Sequence, residues 1–185
     1  MFQLNENDQQ SLLKIARHSV QAYLSGVSPR LPEITAGALM ENRGVFVSIH
    51  QGGELRGCIG NVHPAAPLFR ITSECAISAA VGDPRFMPMT AEELPRVSFE
   101  ISVLSPMEKI DDIHKIEIGR DGVMVSKRGA RGLLLPQVAV AQGWDRERFL
   151  AETCRKAGLR PGEWKDETTI FRFSAFVFQE PQRAK

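Results

Sequence analysis

The segment at residues 55–60 combines a thiol, a guanidinium and two glycines, because it contains Arg56, Gly57, Cys58 and Gly60. In a β-strand Arg56 and Cys58 would share one face, since strand side chains alternate between faces. A guanidinium beside a thiol favours the thiolate, which is the reactive form of cysteine. The two glycines are typical of a place where a ligand or another backbone approaches closely. The segment therefore predicts a reactive or ligand-binding thiol, and the alternative is a small buried cysteine.

Charged residues elsewhere in the sequence could complete such a site. Glu100 lies among the polar positions of an otherwise apolar strand, and we expect it to pair with Arg56 or Arg85. That pair would be either a structural salt bridge or half of an acid/base site. Asp83 and Arg85 follow a predicted helix end, so their charges would line any cleft beside it. The candidate binding residues are Arg56, Gly57, Gly60, Asp83, Arg85 and Glu100, and the candidate catalytic residue is Cys58.

Motifs for metal, nucleotide or serine-nucleophile chemistry are absent from the sequence. No Cys-x-x-Cys occurs and the four histidines lie on different predicted elements, so we expect no metal site. The sequence contains no Gly-x-Gly-x-x-Gly segment, phosphate-binding loop or Gly-x-Ser-x-Gly elbow, so we expect no cofactor. A base for Cys58 is also not evident, because His63 is the only histidine shortly downstream of it.

Helical periodicity, alternating apolar runs and turn residues predict helices interspersed with hairpins. Three helices are predicted: from about Gln9 to Gly26 with Asp8 as the cap, from Pro67 to Gly82, and from Asp145 to Gly158. Two hairpins are predicted: one of residues 45–49 and 55–59, and one with its turn at Asp121 and Gly122, joining 117–118 to 123–125. The remaining predicted strands are 97–103, a short strand at 133–135 ended by Pro136, and 168–178. The last strand has phenylalanines on both faces and is expected near the middle of the sheet. Most strand links are too short for a parallel crossover, which predicts an α+β fold with a mainly antiparallel sheet flanked by helices.

Composition and charge indicate one ordinary globular domain over residues 1–185. Hydrophobic residues make up 43% and charged residues 24%, and the formal net charge is +1. A near-neutral balance disfavours binding to nucleic acid or to anionic membranes, and no apolar run reaches the ~20 residues that cross a bilayer. The start of the chain has no signal-peptide pattern. The three widely spaced cysteines are typical of free thiols in a reducing compartment, so we expect a cytoplasmic protein.

The segment Leu-Arg-Gly-Cys-Ile-Gly at 55–60 resembles the signature hexapeptide of the AMMECR family, called AmmeMemoRadiSam system protein A in prokaryotes. Further blocks follow in the family's order, so that the resemblance covers roughly residues 10–180. These blocks are Asp-Pro-Arg-Phe at 83–86, Glu-Ile-Ser-Val-Leu-Ser at 100–105, Leu-Leu-Pro-Gln-Val at 134–138, and Lys-Ala-Gly-Leu at 156–159 followed by Trp164.

The resemblance implies an α+β fold with a larger and a smaller subdomain, and a cleft lined by the hexapeptide. It also implies a cytoplasmic protein associated with a Memo-like protein and a radical SAM protein, without implying a particular reaction. We therefore expect a binding or partner component whose cleft, built on Arg56 and Cys58, takes a small molecule or a peptide. The alternative is an enzyme that uses Cys58 as a nucleophilic or redox thiol.

Overall fold

The computed structural model describes residues 4–62 and 64–181. Its helices and strands in chain order are α1 (Glu6–Leu24), β1 (Val45–Gln51), β2 (Glu54–Asn61), α2 (Leu68–Val81), β3 (Val97–Leu104), β4 (Glu108–Ile110), β5 (Asp121–Lys127), β6 (Ala130–Leu134), α3 (Pro136–Gln142), α4 (Arg146–Lys156) and β7 (Thr169–Gln179). The pairs β1–β2, β1–β3, β4–β7, β5–β6 and β5–β7 are all antiparallel. These pairs and the interspersed helices confirm the predicted α+β class.

The chain divides into two compact units. The first consists of residues up to Leu104 together with those from Phe176 onward, and the second spans 105–175. Each unit has its own cluster of buried apolar side chains. The prediction that residues 1–185 form one cooperative domain with two subdomains around a cleft stays a prediction. Within the described residues, no helix has the length and apolar character needed to span a membrane.

In the first unit, β1 lies between β2 and β3, and β3 neighbours the end of β7. The apolar side chains of one sheet face pack against α1 and α2. These buried strand residues are Val45, Val47, Ile49, Val97, Phe99, Ile101 and Val103. The four that belong to β3 are the alternate positions predicted to share a face. The opposite face of the same three strands has polar side chains and is the side on which the candidate site lies.

The first helix begins earlier than the sequence predicts. Asn5, rather than Asp8, is the N-cap: its side chain accepts a hydrogen bond from the Asp8 N–H (2.9 Å), and the Asp8 carboxylate accepts from the Asn5 N–H (3.2 Å). This reciprocal arrangement satisfies two N-terminal donors at once, which a cap at Asp8 alone would not do. The predicted start at about Gln9 was therefore wrong by one turn, whereas the end near Gly26 is confirmed.

In the second unit, β7 lies between β4 and β5, and β6 pairs with the other side of β5. This position confirms that the last strand is an interior one. Helix α4 also agrees with its prediction, because Asp145 caps it and its buried residues are Phe149, Leu150, Thr153 and Cys154. Helix α3 was not predicted. Pro136 was expected only to end a strand, but it occupies the first turn of this helix, where a missing N–H costs nothing.

The predicted hairpin turn at Asp121 and Gly122 was wrong, because both residues belong to β5. The positive φ that the preceding turn requires is supplied by Gly119 (φ 90°). Asp121 is buried, and its carboxylate accepts hydrogen bonds from the Glu117 N–H (2.9 Å) and from the Arg120 guanidinium (2.7 Å). A Cβ at Gly122 would lie 2.4 Å from Cζ of Phe173. Gly122 is therefore required for close packing rather than for a turn.

Gly57 provides a test of how tightly β2 packs on α2. A Cβ at this position would lie 2.1 Å from the main-chain oxygen of Ala79, and helix backbone cannot move aside as a flexible side chain can. We expect Gly57→Ala to lower the free energy of unfolding by about 1–3 kcal/mol, as overpacking typically does. The measurement is urea unfolding followed by circular dichroism.

Gly162→Ala is the matched control, since Gly162 has φ −87° and no atom within 4 Å of the added Cβ. Its free energy of unfolding should change by less than ~0.5 kcal/mol. Equal stability of the two variants would contradict the close contact at Gly57.

Candidate functional site

Three polar residues form a row across the first unit's sheet. Ser48 on β1 lies directly opposite Cys58 on β2 and, on its other side, directly opposite Glu100 on β3. Side chains of directly opposed residues in antiparallel strands leave the sheet on the same face. We call Cys58, Ser48 and Glu100 the polar row. It lies on the sheet face opposite to the one that packs against α1 and α2.

The Cys58 sulfur accepts a hydrogen bond from the Ser48 hydroxyl at 3.2 Å. Ser48 is 7% exposed, whereas Cys58 is half-buried and within reach of solvent. A hydrogen bond donated to sulfur favours the charged thiolate over the neutral thiol. Ser48 is therefore a residue of the site that sequence reasoning missed.

The backbone of Cys58 is held by Asp83, which follows α2. The Cys58 N–H donates to the Asp83 carboxylate at 2.8 Å, and Arg85 donates to both carboxylate oxygens through Nε (2.9 Å) and Nη2 (2.6 Å). The hydrogen bonds from Arg85, supplemented by the one from Cys58, hold the pKa of the Asp83 carboxyl well below its usual range. The Asp83 side chain is only 2% exposed, while that of Arg85 is 56% exposed.

Arg85 supplies the positive charge near the thiol. Its pKa is raised chiefly by the hydrogen bonds to Asp83, and its electrostatic interaction with Cys58 also raises it. Asp83 and Arg85 therefore lie beside Cys58, and Arg85, rather than the predicted Arg56, is the arginine that interacts electrostatically with it.

Arg56 has a different role from the one predicted. The β1–β2 register shifts between Ile49, which pairs with Gly57, and His50, which pairs with Leu55. Arg56 is thus the extra residue of a β-bulge, where simple alternation of side chains does not apply. Its guanidinium donates hydrogen bonds to the Glu93 carboxylate from Nε (2.8 Å) and Nη2 (3.3 Å), and Nη2 also donates to the Met87 main-chain carbonyl (2.9 Å).

These hydrogen bonds attach β2, through Arg56, to the segment 83–94, which contains Arg85. The Glu93 pKa is lowered, chiefly by its hydrogen bond with Arg56, so the pair is charged at neutral pH. The Arg56 guanidinium also lies 5.8 Å from the centre of the Phe86 ring. Glu93 is a second residue that sequence reasoning missed, because thirty-seven positions separate it from Arg56.

Glu100 pairs with neither of the arginines proposed for it. Arg56 is bonded to Glu93 and Arg85 to Asp83, so the predicted salt bridge of Glu100 was wrong. Glu100 is half-buried, and across residues 4–62 and 64–181 its side-chain carboxylate has neither a hydrogen-bond donor nor an ion-pair partner.

The two glycines of the hexapeptide make room for the protein itself. Gly57 faces the α2 backbone, and a Cβ at Gly60 would lie 2.3 Å from the Phe46 ring. The expected close approach of another backbone is therefore confirmed at Gly57. At Gly60 the expectation of a backbone or a ligand was wrong, because the neighbouring group is the Phe46 side chain. Neither glycine opens space beside the sulfur.

In the part of the chain that the structure describes, no three His, Cys, Asp or Glu side chains lie close enough together to bind a metal ion. His63, the histidine nearest to Cys58 in the sequence, lies outside the described residues.

Cys58 should be the reactive thiol of the three. Burial raises the pKa of the Cys75 thiol to about 12 and also raises that of Cys154, so both should stay protonated and protected. We expect Cys58 to react with iodoacetamide at pH 7 faster than either, as measured by mass-spectrometric mapping. Arg85→Gln should slow this reaction by roughly tenfold, because loss of a nearby positive charge raises a thiol pKa by about one unit.

Arg160→Gln is the control, since the Arg160 side chain is largely exposed in the second unit and its loss should leave the Cys58 rate unchanged. A Cys58 as inert as Cys75 would rule out the reactive thiol. Equal rates in the Arg85 and Arg160 variants would rule out the electrostatic role of Arg85.

Comparison with known proteins agrees with this architecture. A protein from Methanothermobacter thermautotrophicus is 45% identical over 185 residues, covering 96% of each chain. A protein from Pyrococcus furiosus is 43% identical over 192 residues, covering 97% of this chain and 91% of the other. The crystal structure of an uncharacterised protein from Pyrococcus horikoshii superposes with a TM-score of 0.93 at 42% identity, covering 98% of this chain and 96% of that one. The sequence profile of the AMMECR1 family matches residues 13–178, and the chain therefore belongs to the AMMECR1 family.

Proposed function

We propose that this AMMECR1-family chain is a binding component that takes a small ligand with an anionic group. The binding surface is the polar row together with Asp83 and Arg85, which we call the Cys58 site. The observation that supports this function best is the Arg85 side chain, which is 56% exposed although its partner Asp83 is buried. A guanidinium held in one orientation presents its remaining N–H groups as a planar fork for a carboxylate or phosphate.

The arrangement around Arg85 is preorganised for such binding. Asp83 holds Nε and Nη2 of the guanidinium, and Arg56 anchors the same segment through Glu93. Little side-chain freedom is then left to lose when a ligand binds, which favours affinity. A mobile surface arginine would have to be ordered by the ligand instead.

The resemblance to AmmeMemoRadiSam system protein A supports a cytoplasmic role beside a Memo-like protein and a radical SAM protein. In this role the chain binds or presents a small molecule on which the partners act. Exposed apolar side chains next to the Cys58 site support partner contact, because Met87 is 81% exposed and Leu55 is 39% exposed. Both lie next to Arg56, whose Nη2 donates to the Met87 carbonyl.

A second candidate function is an enzyme that uses Cys58 as a nucleophilic or redox thiol. It is favoured by the hydrogen bond from Ser48 to the sulfur. His50 lies two residues from Ser48 on the same face of β1 and is a candidate base. Its Nε2 is buried and has no hydrogen-bond partner within the described residues. The alkylation measurement above decides this candidate, because an inert Cys58 removes it.

Anion binding can be tested with simple probes. We expect hexanoate and inorganic phosphate, titrated against the protein at low ionic strength, to shift backbone NMR signals of Cys58 and its neighbours. Arg85→Gln should weaken hexanoate binding at least about fivefold, because a charge-assisted hydrogen bond is lost. Arg160→Gln should bind as the native chain does. Shifts spread over the surface and insensitive to Arg85 would refute an anion site here.

Partner binding is measured separately, by titration of a Memo-like protein from the same organism. A complex should form with Kd below ~100 μM, equivalent to about −5.5 kcal/mol. Met87→Ser should weaken it, whereas Val140→Ser, at an exposed position of the second unit, should not. Absence of binding up to that concentration would exclude a stable complex.

A further inference from the structure

We propose that the ligand of the Cys58 site is dipolar, with an amine or other cationic group in addition to its anionic group. This inference rests on the proposed function and names the class of ligand. It follows from the two opposite charges that the fold places at the two ends of the polar row. Arg85 lies at the β2 end, beside Cys58, and Glu100 lies on β3 at the other end.

Glu100 differs from comparable carboxylates of the first unit. Of the other buried or half-buried carboxylates there, three are bonded to an arginine, namely Asp83 to Arg85, Glu93 to Arg56 and Glu180 to Arg17. The fourth, Asp8, accepts a hydrogen bond from the Asn5 N–H at the start of α1. The Glu100 carboxylate is half-buried but has no such partner in the described part of the chain. A carboxylate partly removed from water and without a cation is energetically unfavourable. A cation brought by a ligand would supply the missing partner.

The residues between the two charges are neutral or weakly polar. Ser48 separates Glu100 from Cys58 along the row, and its hydroxyl already donates to the sulfur. A ligand lying along the row would therefore place an uncharged chain over the hydroxyl and the thiol. Its anionic end would meet Arg85 and its cationic end would meet Glu100. A simple anion would gain only the first contact and would be repelled by the second.

Strand spacing sets the length of this ligand. Cys58 and Glu100 lie on the two strands that flank β1, so their backbones are about 9.5–10 Å apart at ~4.8 Å per strand. The side chains at both ends shorten the gap between the charges to be bridged. A molecule with its charges on the order of 5–10 Å apart therefore fits. An ω-amino acid with a chain of about six carbons has this separation, whereas an α-amino acid is too short.

The test compares three probes that share a six-carbon chain, 6-aminohexanoate, hexanoate and hexylamine, by NMR titration of the full-length protein. The native protein should bind 6-aminohexanoate at least about fivefold more tightly than hexanoate, because of the second charge-assisted contact. Glu100→Gln should abolish this preference while hexanoate still binds. Arg85→Gln should weaken both acids. Glycine, with the same two charges close together, should gain no preference over acetate.

Ser98→Ala is the matched control, because Ser98 is a buried polar residue on the same face of β3, two residues from Glu100. It should keep the native preference. If Glu100→Gln does not fold, as judged by circular dichroism, Glu100→Asp serves instead. The aspartate side chain is one methylene shorter, so the ω-amino acid that binds most tightly should change from 6-aminohexanoate to 7-aminoheptanoate.

The possible results separate the two proposals. Equal affinities for hexanoate and 6-aminohexanoate in the native chain, with Arg85→Gln weakening both, would overturn the dipolar ligand and leave the anion site standing. A preference that persists in Glu100→Gln would also overturn the assignment. Failure of both acids to bind in an Arg85-dependent way would overturn the proposed function itself.

Discussion

The buried Asp83 carboxylate is the interaction on which the Cys58 site depends. The carboxylate accepts a hydrogen bond from the Cys58 N–H, which points outward from the edge strand β2. Edge strands otherwise leave such N–H groups without a hydrogen-bond partner in the sheet. A buried carboxylate without a counter-ion would be strongly unfavourable, so Arg85 must stay beside it. Because Asp83 hydrogen-bonds the β2 edge and needs Arg85 as its counter-ion, the fold places the exposed Arg85 side chain next to the half-buried Cys58 thiol.

Two arginines near Cys58 have opposite roles because their burial differs. The Arg56 side chain is 14% exposed and joins the bulge of β2 to Glu93. The Arg85 side chain is mostly in water, yet Asp83 holds it in one orientation. A guanidinium that is buried and paired stabilises the segment 83–94, whereas one that is ordered and exposed is available to a ligand. Charge alone would not distinguish them.

Local signals in the sequence were sufficient for most elements of the fold. The alternation over 97–103 marked β3, the Gly-Gly pair at 52 and 53 marked the β1–β2 hairpin, and Asp145 marked the start of α4. Each of these features depends on residues a few positions apart. Where a local signal had a second explanation, the prediction was wrong. Gly122 was predicted to be a turn residue, but it lies in a strand where the Phe173 ring leaves no room for a side chain.

The sequence by itself determined that Cys58 is the candidate thiol, that Asp83 and Arg85 follow a helix end, and that β3 has a polar face containing Glu100. Only the tertiary structure decided which of these residues meet. The pairing of Ser48 with both Cys58 and Glu100 depends on strand register, and the bulge that diverts Arg56 depends on one extra residue in that register. Register depends on the hydrophobic pattern of whole strands and on turn geometry, so neither the bulge in β2 nor the pairing of β1 with the distant β3 could be read from residues 55–60 alone.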